Sequence, residues 1–189
     1  MGDDQAQHLE FARECVRNFN HAYGTDILVS PRTIVSPARR VMSLTDPSKK
    51  MSKSDPSDKS RILVTDAPDV IARKIRVAVT DSNDSVSYDP DARPGVSNLI
   101  SILAGFDPLG RHPAQLAEKM EGYKVQDLKQ AVTDVLCSEL AGIREGYHKF
   151  LPQAAELEAF ARAGADKARA SAGKTMEAVY QAVGFGPIR

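Results

Sequence analysis

Apolar residues recur at three- and four-residue steps at both ends of the chain and lose that rhythm between them. Leu9, Ala12, Val16, Phe19 and Tyr23 line one face of an opening helix. Asp3, Asp4 and Gln5 stand before it, where a helix N-terminus takes an acid or an acceptor. From Gly24 the period changes. Ile27-Leu28-Val29 is a short apolar run, Pro31 and Pro37 bracket Thr33-Ile34-Val35, and Arg39 to Leu44 reads as a short strand. Thr45 to Lys59, rich in Ser, Lys, Asp and Pro, has almost nothing to bury and reads as an exposed loop. After a second apolar run, Ile62-Leu63-Val64, Asp66 or Asp69 is placed to cap a helix holding Ile71, Ile75 and Val79. Thr80 to Gly95 is loop again.

The remainder predicts helices. Val96, Leu99, Ile100 and Leu103 belong to one ended by Gly105, and Gln115 to Met120 form a short one ended by Gly122. A long helix carries Leu128, Val132, Leu136, Leu140, Ile143, Tyr147 and Phe150 on one stripe and stops at Pro152. A last helix runs from Leu157 to Val183 and ends at Gly184. Prolines support the division: nine of the 11 lie between Pro31 and Pro113, so the first part is expected to be loop-rich and the rest mostly helical.

Composition narrows the function classes. At 189 residues and 42% apolar, the chain holds enough material for a core without disulfide staples. Its 25 Lys and Arg balance 25 Asp and Glu, which excludes a binder acting through bulk positive charge. The two cysteines, Cys15 and Cys137, form no disulfide framework and read as small core residues. His8 reads as a surface residue, since no second ligand has metal-binding spacing. No apolar run approaches the ~18 residues a membrane span needs, and the polar, acidic N-terminus reads as neither signal nor transit peptide. Tyr123, Tyr147 and Tyr180 read as core or boundary residues. Lys167, Arg169 and Lys174 read as a solvated helix face.

One stretch departs from this balance. From Arg39 to Arg61 there are seven basic against three acidic residues, and Lys49-Lys50-Met51-Ser52-Lys53-Ser54-Asp55-Pro56 sits just after the expected strand. Ammonium groups and hydroxyls on such a loop suit polyphosphate oxyanions. An arbitrary Lys-Ser loop is simply solvated. Here, however, Lys50-Met51-Ser52-Lys53-Ser54 spells the signature loop of class I aminoacyl-tRNA synthetases, a chance match on the order of one in ten thousand.

The context carries the resemblance further. Met42-Ser43-Leu44 precedes the loop, while Ala78-Val79-Thr80-Asp81-Ser82 and Pro94-Gly95-Val96-Ser97-Asn98-Leu99 follow at the expected distance. Gly2-Asp3-Asp4-Gln5 leads into Gln7-His8-Leu9-Glu10 at the front. Together they resemble the C-terminal part of the tryptophanyl-tRNA synthetase family, of bacterial or organellar type, with the helical pattern alone supporting the likeness beyond about Gly105. The tyrosyl family is the nearest confusable relative; Gly-Asp-Asp-Gln with His-Leu-Glu, and Val-Thr-Asp-Ser, favour the tryptophanyl one.

The resemblance implies an α/β remnant followed by mostly α structure: residues 1–65 as the C-terminal piece of a Rossmann-like catalytic domain with the signature loop, and 66–189 as a helical, anticodon-binding type domain. It implies ATP binding by Gly2, Asp3, Asp4 and Gln5 near the ribose, by Val41 at the adenine edge, and by Lys50, Met51, Ser52, Lys53 and Ser54 around the triphosphate. Lys50 and Lys53 are its catalytic residues, Mg²⁺ arrives with the nucleotide, and no protein metal site is implied. The implied substrates are ATP, L-tryptophan and tRNA-Trp, with a homodimer, no membrane, and a bacterial cytoplasm or mitochondrial matrix location. The chain has no His-x-Gly-His element, the family's first signature, and lacks the early strands and tryptophan pocket. It is therefore expected to be a portion inactive alone, with its exposed strands forming an apolar edge prone to association. The alternatives are a non-catalytic fragment or paralogue that binds only nucleotide or tRNA, and a helical interaction protein with an accidental motif.

Overall fold

The computed structural model describes residues 6–34 and 40–186. Among them run seven α-helices: α1 (Ala6–Tyr23), α2 (Pro68–Arg76), α3 (Pro94–Ala104), α4 (Pro113–Lys119), α5 (Val125–Glu139), α6 (Ala141–Phe150) and α7 (Ala154–Ala182). The chain groups into two compact units, Ser36–His148 and a second made of Met1–Val35 with Lys149–Arg189.

In the Ser36–His148 unit prolines start helices as well as interrupt them. Pro68, Pro94 and Pro113 each stand in the first turn of a helix, where a fixed φ fits and the missing N–H costs nothing. His112 Nδ1 accepts from Ala114 N at 3.3 Å and Gln115 Oε1 accepts from His112 N at 3.0 Å, which closes the start of α4. α2 and α3 both pack on α5, and α4 packs on α3. Ile71 and Ile75 of α2, Val96, Leu99 and Ile100 of α3, and Leu128 and Val132 of α5 are fully buried. Leu44, which precedes the lysine-rich loop, is buried among them. Burying such side chains contributes roughly 1.5–3 kcal/mol each, so the loop's stem belongs to the core.

Four expectations need correction. No strand forms over residues 40–44, Arg39 lying outside the described residues: among those described, pairing is limited to the antiparallel bridges Met42–Lys50 and Ser85–Lys124. Neither Asp66 nor Asp69 caps α2, whose N-cap is Ala67; Asp66 instead accepts from Lys74 Nζ at 2.8 Å, a buried pair. Val79 lies beyond α2 and its N–H donates to Leu44 O at 2.8 Å. The long helix divides at Leu140 into α5 and α6. Gly142 and Gly146 hold a helix poorly there, and Arg144 Nη1 donates to Asp66 O at 3.1 Å.

One buried cation organises the loop at 80–93. Arg93 donates to both carboxylate oxygens of Asp81 at 2.9 and 2.8 Å, to Asn83 O and Ser85 O, and to Ser87 Oγ. The Arg93 hydrogen bond holds the Asp81 carboxyl below its usual range. Lys129 donates to Arg76 O and Ala78 O, satisfying carbonyls at the end of α2, and its partial burial lowers its pKa.

In the other unit, α1 and α7 carry no buried residue. Cys15, expected in a core, is exposed, as are Phe11 and Phe160. Ile27-Leu28-Val29 is not a strand. It folds back along α1, where Asn20 Nδ2 donates to Leu28 O at 2.8 Å and Asn20 Oδ1 accepts from Leu28 N at 3.2 Å. Arg13 Nε adds a bond to Pro31 O at 2.9 Å. α7 ends in a Schellman closure: Gly184, at φ 83°, donates to Gln181 O, and Phe185 donates to Tyr180 O.

Two predictions follow from this packing. A Cβ on Gly95 would sit 2.2 Å from Val79 O, a backbone atom. Gly95→Ala is therefore expected to cost about 2 kcal/mol or more, by the magnitude of core overpacking, measured as the urea midpoint of the chain. Asp107 accepts from Arg111 Nε and Arg111 N, each at 2.9 Å, and these bonds hold its pKa at about 2 instead of 3.8. Because the folded pKa is depressed, the contribution is complete above about pH 4 and lost as pH falls through about 2. The gap in unfolding midpoint between the parent and Asp107→Asn is expected to be constant from pH 7 to about 5 and to close towards pH 2.

Candidate functional site

The lysine-rich loop has little to bury, so its position is set by its stem. Residues 41–51 turn back on themselves: Met51 N donates to Val41 O at 2.9 Å and Ser43 N donates to Lys49 O at 2.8 Å. The Ser43 hydroxyl, buried, accepts from Thr45 N and Asp46 N and closes the turn. Leu44 N donates to Ser60 O at 2.9 Å, which pins the far end of the loop to the same stem. Ser60 is itself buried, with its hydroxyl donating to Ser57 O at 2.7 Å.

The stem is held from outside by α3. Asn98, 5% exposed, accepts from Met42 N through Oδ1 and donates to Met42 O through Nδ2, both at 2.9 Å. A carboxamide thus does here what a neighbouring strand would do in a sheet, occupying both backbone groups of one residue. Two residues along, Leu44 O accepts from Val79 N, and Val79 lies against Gly95 of the same helix.

On this stem the signature residues spread out. Val41 is exposed beside the hairpin, and Lys50 is exposed with its backbone bridged to Met42. Met51 is half-buried and packs against the core, so it anchors the loop rather than reaching out. Ser52 Oγ and Ser54 Oγ lie 2.9 Å apart, Ser54 N donates to Ser52 Oγ, and Asp55 N approaches Ser52 O. Lys53 is exposed at this turn and pairs with no carboxylate among the described residues. Lys49 differs: its Nζ lies 2.9 Å from Asp46 Oδ2. Ser48 and Lys49 hold the Asp46 carboxyl below its usual range, and Asp46 raises the Lys49 ammonium. Gly2, Asp3, Asp4 and Gln5 lie outside the described residues.

The turn therefore brings two hydroxyls and an exposed ammonium together, donors of the kind an oxyanion takes. Beside the stem is a cavity of about 550 Å³ lined by Arg40, Val41, Tyr88, Asn98, Ser101 and Arg111 among others. A larger cleft of about 1000 Å³ lies between α2, the 80–84 loop and α5, away from the signature turn. Among the described residues no three His, Cys, Asp or Glu side chains converge as metal ligands. Sequence reasoning missed the roles of Ser43, Ser60 and Asn98. The only signal for Ser43 and Asn98 was membership of short motifs flanking the loop, and Ser60 had none.

Comparison with known proteins bears on the family and the fold. The family model described as tRNA synthetases class I (W and Y) matches residues 1–140, a stretch that ends where α5 gives way to α6. The chain is 41% identical over 186 residues to a tryptophan–tRNA ligase of Oceanobacillus iheyensis, covering 98% of this chain and 56% of that protein. It is 38% identical over 187 residues to the mitochondrial tryptophan–tRNA ligase of Saccharomyces cerevisiae, covering 98% of this chain and 49% of that one. The chain thus spans about half the length of the curated relatives it matches. The crystal structure of tryptophanyl-tRNA synthetase from Mycoplasma pneumoniae superposes with a TM-score of 0.84 at 27% identity, covering 99% of this chain and 57% of that one. That from Campylobacter jejuni, solved with ADP and tryptophan, gives 0.63 at 26% identity, covering 97% and 56%. The mostly helical fold built around the signature hairpin is one that these synthetases share, and with a family match over residues 1–140 the chain belongs to the class I tRNA synthetases of the W and Y group.

Proposed function

We propose that this chain carries the ATP-side signature loop and helical domain of a tryptophan–tRNA ligase. The observation that supports it best is Lys50-Met51-Ser52-Lys53-Ser54 set on a hairpin tied into the core, in a chain about 40% identical to two such ligases over almost its whole length. Residues 1–65 contribute the last piece of a Rossmann-like catalytic domain and 66–189 the helical domain that meets tRNA-Trp. The Campylobacter jejuni relative holds ADP and tryptophan, which supports a nucleotide and an indole amino acid as the ligands here.

In the first reaction a carboxylate oxygen of tryptophan forms a bond to the α-phosphorus of ATP as the bond to the pyrophosphate oxygen breaks. The residues' task is positional and electrostatic. Lys50 and Lys53 neutralise charge growing on the leaving pyrophosphate. Ser52 and Ser54 donate to its oxygens, exchanging the hydrogen bond between them for bonds to phosphate. Val41 offers backbone groups to the adenine edge, and Gly2, Asp3, Asp4 and Gln5 surround the ribose. Mg²⁺, bound with the nucleotide, supplies further charge neutralisation. In the second reaction a hydroxyl of the terminal ribose of tRNA-Trp bonds to the tryptophanyl carbonyl carbon of the adenylate, the acyl–phosphate bond breaks, and AMP leaves. The assembly is a homodimer of the bacterial cytoplasm or the mitochondrial matrix; of the matched relatives, one is bacterial and one is named as mitochondrial.

The half-length coverage of those relatives favours a second reading, in which this chain binds nucleotide but does not activate tryptophan by itself. Tryptophan-dependent exchange of labelled pyrophosphate into ATP separates the two. Exchange with tryptophan and not tyrosine establishes the ligase, whereas ATP binding without exchange establishes the second reading. Under both, ATP is expected to protect residues 49–54 from proteolysis. Lys53→Ala is expected to weaken ATP binding about tenfold, the worth of one charge-assisted hydrogen bond. Titration calorimetry showing equal affinity for the variant and the parent would refute the role given to the loop.

A further inference from the structure

We propose that Asn98 is the positioning residue of the signature loop, and that the first turns of α3 fix where the loop's donors stand. This rests on the nucleotide role proposed for the loop.

The geometry is a clamp with two points of contact. At Met42, both polar atoms of the Asn98 carboxamide are used on the two backbone groups of a single residue, at 2.9 Å each. At Leu44, the backbone carbonyl accepts from Val79 N, and Val79 is held against α3 because residue 95 has no side chain. Residue 42 is thus gripped by position 98 and residue 44 by Val79, which stands against position 95 of the same helix, with the buried Ser43 between them. Met42 in turn is the bridge partner of Lys50, and its neighbours Val41 and Ser43 pair with Met51 and Lys49. Asn98 therefore holds Met42, and the hydrogen bonds of its two chain neighbours hold Met51 and Lys49, the residues on either side of Lys50.

The far end of the loop is pinned separately, through Leu44 N and Ser60 O. Among its signature residues only Met51 packs on the core, while Lys50, Lys53 and Ser54 are exposed. Freed from Asn98, Met42 loses partners that water does not replace equally well at a half-buried site. The hairpin then opens on its own timescale, and the loop's donors spread over many positions. Substrate affinity falls by the fraction of time spent open. Asn98 touches no ligand in this account and acts wholly through the backbone of Met42.

The test compares Asn98→Ala with Val132→Ala, a truncation in α5 that lowers stability from the core while removing none of the stem's hydrogen bonds. Hydrogen exchange is followed for the amides of Ser43 and Met51 without nucleotide, and ATP affinity is measured by calorimetry. Asn98→Ala is expected to speed exchange at both amides about tenfold and to weaken ATP binding. Val132→Ala is expected to do neither at its own, similar, loss of melting temperature. Equal exchange in the two variants would overturn the clamp. Faster exchange in Asn98→Ala with ATP affinity equal to that of Val132→Ala would overturn the positioning role. If the parent chain itself binds no ATP, the proposed function fails and takes the nucleotide half of this inference with it, while the exchange result still decides whether Asn98 holds the stem.

Discussion

The hydrogen-bonded grip of one buried asparagine on one backbone residue is the constraint from which the rest of the site follows. A loop of lysines and serines cannot bury apolar surface, and its net interactions with water are as good folded as unfolded. It can hold a shape only if its ends are fixed. Asn98 fixes Met42, the core fixes Leu44 and Met51, and Ser60 fixes the returning strand of chain. Each bond contributes only about 1 kcal/mol net, but all of them act on a segment of ten or so residues. Removing any one leaves a half-buried polar group without its partner.

The same device appears twice. Asn20 treats Leu28 as Asn98 treats Met42, with one carboxamide closing on the N–H and C=O of a single residue. Both targets lie in short apolar runs that, by pattern, belong in a sheet. A backbone that is extended but has no neighbouring strand must still satisfy its polar groups. Side-chain amides do this at a helix surface, where a free N–H and C=O stand at the spacing of a carboxamide. The scarcity of strands among the described residues and the presence of these two asparagines are one fact seen from two sides.

Charge is distributed to the same end. Several cations of the Ser36–His148 unit are held by structure: Arg93 by Asp81, Lys74 by Asp66, Arg111 by Asp107, Lys129 by carbonyls at the end of α2. Lys49 is turned towards Asp46. Lys53 stands exposed at the signature turn beside two hydroxyls, so a chain with no net charge still presents a local positive site. Fixing the surrounding charges in pairs keeps them from competing for the same anion.

Much of this was legible in the sequence. The periodic stretches gave α1, α3, α4 and α7 with Gly105 and Gly184 at their ends, because a helix satisfies its backbone locally and needs only a face to bury. The signature loop was legible because five residue types in a row are needed for its chemistry wherever the chain folds. What only the tertiary structure decided were contacts between distant residues. Arg39 to Leu44 has the composition of a strand, yet a strand needs a partner, and a side chain from residue 98 took that place. The stripe from Leu128 to Phe150 is continuous in pattern but breaks at Leu140, where Arg144 reaches the backbone of Asp66. Asn98 itself looks like any polar residue early in a helix. Its role comes from lying 56 positions along the chain from Met42 and 2.9 Å away in space, a closeness that the folding of the core creates and that no local pattern records.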